Sequence, residues 1–134
     1  MSNAGADERP GKTVTVFVIE DEDSIRALLA VFLQRARYEV LTARDALEAR
    51  AVWSQNADAV GLLVADLILP GGSGFELAQE FRKNRPDLKI VFASGNPRNQ
   101  LLETTQLIKG SKMILKPFSM QQFLEVVADL LEKN

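Results

Sequence analysis

The sequence contains no cysteine and no histidine among its 134 residues. Without cysteine the chain has no disulfide and no thiolate to act as nucleophile or metal ligand. Without histidine it can form neither a Ser-His-Asp triad nor an imidazole metal site, and it cannot carry a phosphohistidine of its own. The lack of cysteine fits a reducing compartment, and we expect a cytoplasmic location.

The chain also has little net charge and no long apolar run. Its formal net charge is -2, and it has no basic stripe with interleaved aromatic residues, so we expect no direct binding to nucleic acid. The longest apolar stretch, residues 59–69, is too short for a membrane span and is interrupted by Asp66. A hydrophobic content of 46% with 25% charged residues is typical of a globular domain.

Residues 1–12 are small, polar and turn-forming, and they lack the apolar segment of a signal peptide. We predict a flexible lead-in there and one domain over residues 13–132. Ser2, Asn3 and Ala4 resemble the remnant of a cleavable expression tag, which leaves open a longer natural protein.

Two hydrophobic periods alternate along the domain. Near-continuous apolar runs, typical of strands covered on both faces of a parallel sheet, occur at residues 13–19, 60–65 and 89–93. Shorter and more mixed runs at 38–43 and 112–115 suit the edges of a sheet. Helices are predicted between and after these strands, at residues 22–36, 44–55, 74–84, 97–108 and 119–132.

The helices are supported by apolar stripes and by start signals. The first predicted helix has a single apolar face made of Ile25, Leu28, Leu29, Phe32, Leu33 and Ala36. Start signals are two capping boxes and an N-cap before a proline, at Ser73 with Glu76, Ser119 with Gln122, and Asn96 with Pro97. Five strands alternating with five helices predict a doubly wound α/β sandwich with helices on both faces of a parallel sheet.

Polar side chains stand where four of the predicted strands end. They are Glu20 and Asp21 after the first strand, Asp66 after the third, Ser94 after the fourth and Lys116 after the fifth. Because ligands of such sheets bind at the carboxyl ends of the strands, we expect these groups to share one site. Crowded carboxylates call for a cation, and hard oxygen ligands suit Mg²⁺. With Lys116, the metal would favour a phosphoryl group on a carboxylate oxygen.

Four ordered segments resemble the receiver domain of two-component response regulators. They are VIEDEDSIRALL (18–29), LVADLILPGGSGFEL (63–77), IVFASG (90–95) and LKPF (115–118). The resemblance covers residues 13–132 and implies a flavodoxin-like (βα)5 fold with strand order 2-1-3-4-5. It also implies a signalling switch rather than a metabolic enzyme, with catalysis limited to its own phosphorylation and dephosphorylation.

The resemblance implies roles for the acidic residues. Asp66 matches the phosphoacceptor, whose carboxylate attacks the phosphorus of a partner's phosphohistidine. Glu20 and Asp21 match the acidic pair that holds Mg²⁺, and Asp66 and the backbone carbonyl of Ile68 complete the protein ligands. Glu20 stands where Asp is commoner in the family, and we expect its extra methylene to be tolerated.

The resemblance also assigns the switch and the lysine. Ser94 matches the hydroxyl that moves to the new phosphoryl group, and Lys116 matches the lysine that pairs with its oxygens. Pro117 matches a cis-proline position, where a cis bond costs little. Met113 occupies the position where the family usually has Tyr or Phe, and a thioether lacks the ring that partners read. We therefore expect normal phosphorylation with a weak or unusual output change.

The expected partner is a sensor histidine kinase or a histidine phosphotransfer protein, because the chain has no histidine to phosphorylate. A dimer through the fourth helix, fifth strand and fifth helix of the predicted order is a further expectation. No segment for an output domain follows residue 132, so we interpret the chain as a stand-alone receiver or as part of a larger regulator or hybrid kinase.

Other classes share parts of the pattern. A degenerate receiver used only for docking is disfavoured, because every site residue is chemically competent, but Met113 keeps this alternative open. A flavin- or nucleotide-binding protein would need a phosphate loop after the first strand, where this chain has acids that repel phosphate. Gly71, Gly72 and Gly74, after the third strand, match neither common phosphate loop, and a turn with positive φ explains them. A phosphohydrolase would carry its nucleophile in D-x-D after the first strand, which only Asp21 and Asp23 offer, past the strand end.

Overall fold

The computed structural model describes residues 13–95 and 108–132. The predicted lead-in at 1–12 and the helix expected at 97–108, with its Asn96-Pro97 start, lie outside the described residues. Seven strands lie within the described residues: β1 (Thr15–Ile19), β2 (Glu39–Ala43), β3 (Val60–Asp66), β4 (Ile68–Leu69), β5 (Gly72–Ser73), β6 (Lys89–Ser94) and β7 (Ser111–Leu115). The described helices are α1 (Asp23–Arg35), α2 (Ala46–Asn56), α3 (Gly74–Arg82) and α4 (Met120–Glu132).

Five strands form one parallel sheet in the order β2-β1-β3-β6-β7. This is the predicted order, since β6 and β7 are the fourth and fifth strands expected from the sequence. The two mixed runs form the edge strands, β2 and β7, as predicted. The carboxyl ends of the strands are aligned by three register pairs: Ile19 with Ala65, Asp66 with Ala93 and Ser94 with Leu115.

The sheet separates two hydrophobic cores, because successive side chains of a strand point to opposite faces. Phe17 and Ile19 of β1 join the core under α2 and α3, whereas Val16 and Val18 join the core under α1 and α4. The helix residues that fill the first core are Ala46, Ala49, Trp53, Leu77, Ala78 and Phe81. Those that fill the second are Leu29, Leu33, Phe123, Val127 and Leu130. Helices therefore cover both faces, as predicted.

The apolar face of α1 is narrower than its sequence pattern predicts. Leu29 and Leu33 are buried, but Leu28 is 45% exposed and Ala36 lies on the surface. Val31, on the same helix, is 41% exposed. The reason is that α1 packs with only part of its predicted stripe against the sheet and α4.

Within the described residues, none of the helices combines the length and apolarity that crossing a bilayer requires.

Both predicted capping boxes mark real helix starts. Ser119 Oγ accepts from the Gln122 amide while Gln122 Oε1 accepts from the Ser119 amide, both at 3.0 Å. Ser73 Oγ accepts from the Glu76 amide at 3.1 Å. A third cap, at α2, was not predicted from the sequence: Asp45 Oδ1 accepts from the Glu48 amide at 2.8 Å.

The glycine-rich segment after β3 forms a short hairpin that the sequence analysis did not predict. Strands β4 and β5 pair antiparallel and precede α3 directly. Gly71 has a positive φ of 83°, which confirms the expected turn at that position. For Gly74 the reason is different: a Cβ there would lie 2.1 Å from the backbone oxygen of Asp66. Close approach of α3 to the end of β3 therefore requires glycine.

Candidate functional site

Lys116 links the ends of separate strands at the carboxyl edge of the sheet. Its Nζ lies 3.0 Å from Oε1 of Glu20, 2.9 Å from Oδ1 of Asp66 and 3.0 Å from Oδ2 of Asp66. Its backbone amide donates to the Ser94 carbonyl at 2.8 Å, which carries the residue over the end of β6. The expected convergence of Glu20, Asp66, Ser94 and Lys116 is thus what the structure shows.

The three carboxylates form a cluster with the dimensions of a cation site. One ligand oxygen from each of Glu20, Asp21 and Asp66 lies within 4.8 Å of the other two. Glu20 and Asp66 are 3% and 7% exposed, whereas Asp21 is on the surface. Lys116 supplies one positive charge to three carboxylates, so two negative charges remain uncompensated when all three are ionised. These hard oxygen donors fit Mg²⁺.

Both carboxylate oxygens of Glu20 have a partner. Oε1 accepts from Lys116, and Oε2 accepts from the backbone amide of Glu22 at 2.9 Å. The amide of Glu20 donates to the Ala43 carbonyl at 3.0 Å, which joins the end of β1 to β2. The extra methylene of Glu20 therefore lets its carboxylate fold back onto the loop while it still reaches Lys116.

Arg26 contacts the loop that carries Glu20 and Asp21, and it was not predicted from the sequence. Its Nη1 donates to the backbone oxygen of Glu20 at 2.9 Å, and its Nη2 contacts Oδ1 of Asp23 at 2.6 Å. The spacing of Asp23 and Arg26, three residues apart on α1, was the available signal. The contact with Glu20, six residues earlier, has no such signal, because the turn between β1 and α1 decides it.

Burial and neighbouring charges shift the titration of the central pair. The pKa of Asp66 is raised from 3.8 to about 7: burial is the main cause, the hydrogen bond from Lys116 opposes it, and the charge of Glu20 adds to the rise. Burial lowers the pKa of Lys116, but its hydrogen bonds and charge interactions with Asp66 and Glu20 outweigh that effect and give a net rise. The lysine is therefore a cation, and Asp66 is the group whose charge the site disfavours in the absence of metal.

A cleft of about 240 Å³ opens beside Asp66. Its lining residues are Asp66, Leu67, Ile68, Ala93, Ser94, Gly95 and Lys116. Ser94 is buried at 5% exposure, and the Ile68 side chain stands at the mouth with 70% exposure. A larger surface cavity of about 700 Å³ lies beside the start of β3 and contains none of the predicted site residues.

Pro117 and Met113 are the remaining predicted positions. The Lys116-Pro117 peptide bond is cis, as expected. Met113 lies in the middle of β7 opposite Phe92 and packs, half-buried, against the core under α2 and α3. The roles given to these residues and to the backbone carbonyl of Ile68 remain predictions.

The fold and the site together define a class of protein. It is a doubly wound α/β domain with a five-stranded sheet, and an acidic cluster and a lysine lie at the carboxyl edge of that sheet. A family model described as "Response regulator receiver domain" matches residues 16–128. The chain belongs to this family, as its four ordered segments predict.

Curated relatives and solved structures agree with this assignment. The chain is 31% identical over 122 residues to the sensor kinase CckA of Brucella abortus, covering 91% of this chain and 13% of that protein. It is 31% identical over 123 residues to the regulatory protein VanRB of Enterococcus faecalis, covering 91% of this chain and 54% of the relative. It therefore spans only part of both relatives. Among solved structures, the response regulator TrrA of Thermotoga maritima, in complex with Mg²⁺-BeF, has a TM-score of 0.75 and 31% identity, with coverage of 89% of this chain and 100% of that one.

Proposed function

We propose that this receiver domain accepts a phosphoryl group on Asp66 from a phosphohistidine of a partner protein. The observation that supports the proposal is the contact of one ammonium, that of Lys116, with the carboxylates of both Glu20 and Asp66 at 2.9–3.0 Å. A purely structural acid would be paired and shielded, whereas Asp66 also borders an open cleft.

The transfer needs only one nucleophile and a set of compensating charges. An oxygen of the Asp66 carboxylate forms a bond to phosphorus while the P–N bond to the partner's imidazole breaks, and the imidazole nitrogen keeps the electron pair and takes up a proton. Lys116 would shift from the carboxylate oxygens to the phosphoryl oxygens. The Ser94 hydroxyl, which lines the same cleft, would donate to one of these oxygens.

The donor set allows the metal ligands to be assigned. Glu20, Asp21 and Asp66 would hold Mg²⁺ with the backbone carbonyl of Ile68, which follows Asp66 by two residues and also lines the cleft. When bound, Mg²⁺ supplies positive charge that stabilises the phosphoryl oxygens during transfer. The solved relative in complex with Mg²⁺-BeF supports this choice of metal.

We assign the partner and setting from the same chemistry. A sensor histidine kinase or a histidine phosphotransfer protein would supply the phosphohistidine, because this chain contains no histidine. We place the exchange in the cytoplasm. The chain's own catalysis would be limited to its phosphorylation and dephosphorylation at Asp66, and the product would alter contacts with an output partner.

Intact mass measurement tests the proposal. The chain is incubated with acetyl phosphate and Mg²⁺ beside the variant Asp66→Asn. We expect the mass of one phosphoryl group only on the unsubstituted chain, and we expect EDTA to abolish it. A degenerate receiver that acts only by docking would gain no mass, and phosphorylation of Asp66→Asn would place the acceptor elsewhere.

A further inference from the structure

We infer that Arg26 is a positioning residue that braces the loop between β1 and α1 and thereby sets the affinity of the site for Mg²⁺. The inference rests on the proposed function, since it concerns the same metal site. It adds a residue from outside the carboxylate cluster, and it gives Arg26 a defined effect on metal binding.

Arg26 contacts the backbone of the loop that carries Asp21 at two positions. Its guanidinium donates to the backbone oxygen of Glu20 at 2.9 Å, and its own backbone amide donates to the backbone oxygen of Glu22 at 2.9 Å. The amide contact is an ordinary helical hydrogen bond that any residue at this position would make. The guanidinium contact is therefore what Arg26 in particular adds, next to the bond from the Glu20 amide to the Ala43 carbonyl. The arginine is suited to this task because only 21% of its side chain is exposed.

The same guanidinium also forms an ion pair with Asp23, whose carboxylate is not part of the acidic cluster. Its Nη2 contacts Asp23 at 2.6 Å, although the Asp23 side chain is 88% exposed. An exposed ion pair of this kind stabilises a fold by only about 0–1 kcal/mol. Its stronger effect is geometric, because the ion pair holds the planar guanidinium in the orientation that meets the Glu20 carbonyl.

The two roles that Arg26 could have, positioning the loop or only adding positive charge, predict opposite effects on Mg²⁺ affinity when the residue is replaced. Arg26 is a cation close to a cation site, so its removal would strengthen Mg²⁺ binding if only its charge mattered. If Arg26 holds Glu20 and Asp21 in place, its removal weakens binding, because the ligands must then be ordered by the metal itself. Groups that orient metal ligands typically contribute about tenfold or more in affinity.

The test compares Arg26→Gln with Arg35→Gln in the full chain by calorimetric Mg²⁺ titration. Both variants lose one positive charge from α1, but Arg35 lies in its last turn, at the end away from the site. We expect Kd for Mg²⁺ to rise about tenfold in Arg26→Gln and less than about twofold in Arg35→Gln, because a distant surface charge is screened. Arg26→Lys should fall between wild type and Arg26→Gln, since one ammonium cannot match both contacts of the guanidinium.

Two further readouts separate positioning from general loss of stability. Hydrogen exchange of the metal-free protein should be faster at the amides of residues 20–23 in Arg26→Gln, with the strands of the sheet unchanged. At saturating Mg²⁺, the phosphorylated fraction should return to the wild-type value. Unchanged or tighter Mg²⁺ binding by a folded Arg26→Gln would overturn the inference alone, whereas a wild-type chain that binds no Mg²⁺ would overturn the proposed function and this inference together.

Discussion

The ammonium of Lys116 lies 2.9 Å from Oδ1 of Asp66, although 50 residues separate the two along the chain. The same ammonium contacts Glu20, so the lysine is the resident cation of the acidic cluster. A divalent metal that binds there enters a site already partly neutralised. We therefore expect Lys116 to compete with the metal in the free protein and to assist it once a phosphoryl group is present.

Removing this lysine should separate metal binding from phosphoryl transfer. In Lys116→Met we expect Mg²⁺ to bind about fivefold more tightly, because one unit of repulsion near the surface is worth about 1 kcal/mol or more. We expect phosphorylation by acetyl phosphate to slow by about 100-fold, the typical cost of losing one preorganised donor. Calorimetry and time-resolved intact mass measure the two effects.

Lys112→Met is the matched control for that prediction. Lys112 lies on β7 and pairs with Asp129 of α4. The Lys112→Met variant should keep the Mg²⁺ affinity and the phosphorylation rate near the wild-type values. Equal phosphorylation rates in Lys116→Met and wild type would contradict the role given to Lys116.

The raised pKa of Asp66 predicts a pH-dependent loss of stability in the metal-free protein. A folded-state pKa of about 7 against an ordinary value of 3.8 means that the folded chain holds a proton which the unfolded chain has released. The free energy of unfolding therefore falls as pH rises from about 4 to about 7, by at most about 1.4 kcal/mol per pH unit. Asp66→Asn should lack this component and be the more stable protein at pH 8.

Urea unfolding at several pH values in EDTA measures this difference. Addition of Mg²⁺ should recover stability in the wild type and not in Asp66→Asn, because ligand binding to the folded state alone stabilises it. Parallel pH curves for the two proteins would show that Asp66 ionises without cost in the fold.

The close approach at Gly74 makes a steric prediction. A Cβ at this position would lie 2.1 Å from the Asp66 backbone oxygen and 3.0 Å from the Ala65 Cβ. Gly74→Ala must push α3 away from the end of β3, and we expect a loss of about 1–3 kcal/mol in the free energy of unfolding. Phosphorylation of Asp66 should also slow, because its backbone moves.

Gly72→Ala is the control in the same hairpin. The nearest atom to its added Cβ is the Ala46 Cβ at 3.5 Å, which is ordinary contact. Its stability should stay within about 0.5 kcal/mol of wild type. Chemical denaturation of both variants checks the pair, and similar stability losses in the two would refute the steric explanation.

Met113 makes a prediction about output. It fills the usual aromatic position with an unbranched side chain that packs, half-buried, against the core under α2 and α3. We therefore expect the phosphoryl mimic beryllofluoride to shift backbone resonances near Asp66 and Ser94, with weak changes in β7 and α4. Met113→Tyr should enlarge those distant changes. Wild-type shifts as large and widespread as those of receivers with an aromatic residue would contradict the expectation.

Much of the fold could be predicted from local hydrophobic periodicity in the sequence. Within the described residues, the five strands of the parallel sheet and the four helices were located to within about two residues, because period-two and period-3.6 burial leave distinct apolar spacings. The polar residues at strand ends were identified because each interrupts or closes an apolar run, and parallel strands bring such ends to one edge. The strand order came from the resemblance, since alternation of strands and helices alone does not determine which strands are neighbours.

The sequence by itself determined the class of fold, the acidic and basic side chains available at the site and the starts of α3 and α4. Only the tertiary structure decided that Lys116 contacts both Glu20 and Asp66, that Arg26 reaches the Glu20 carbonyl, and that Leu28 stays exposed. The physical reason is that apolar periodicity reports which face of an element is buried. It does not report which polar atoms come within hydrogen-bond distance, because packing of distant segments and the turns between them set those distances.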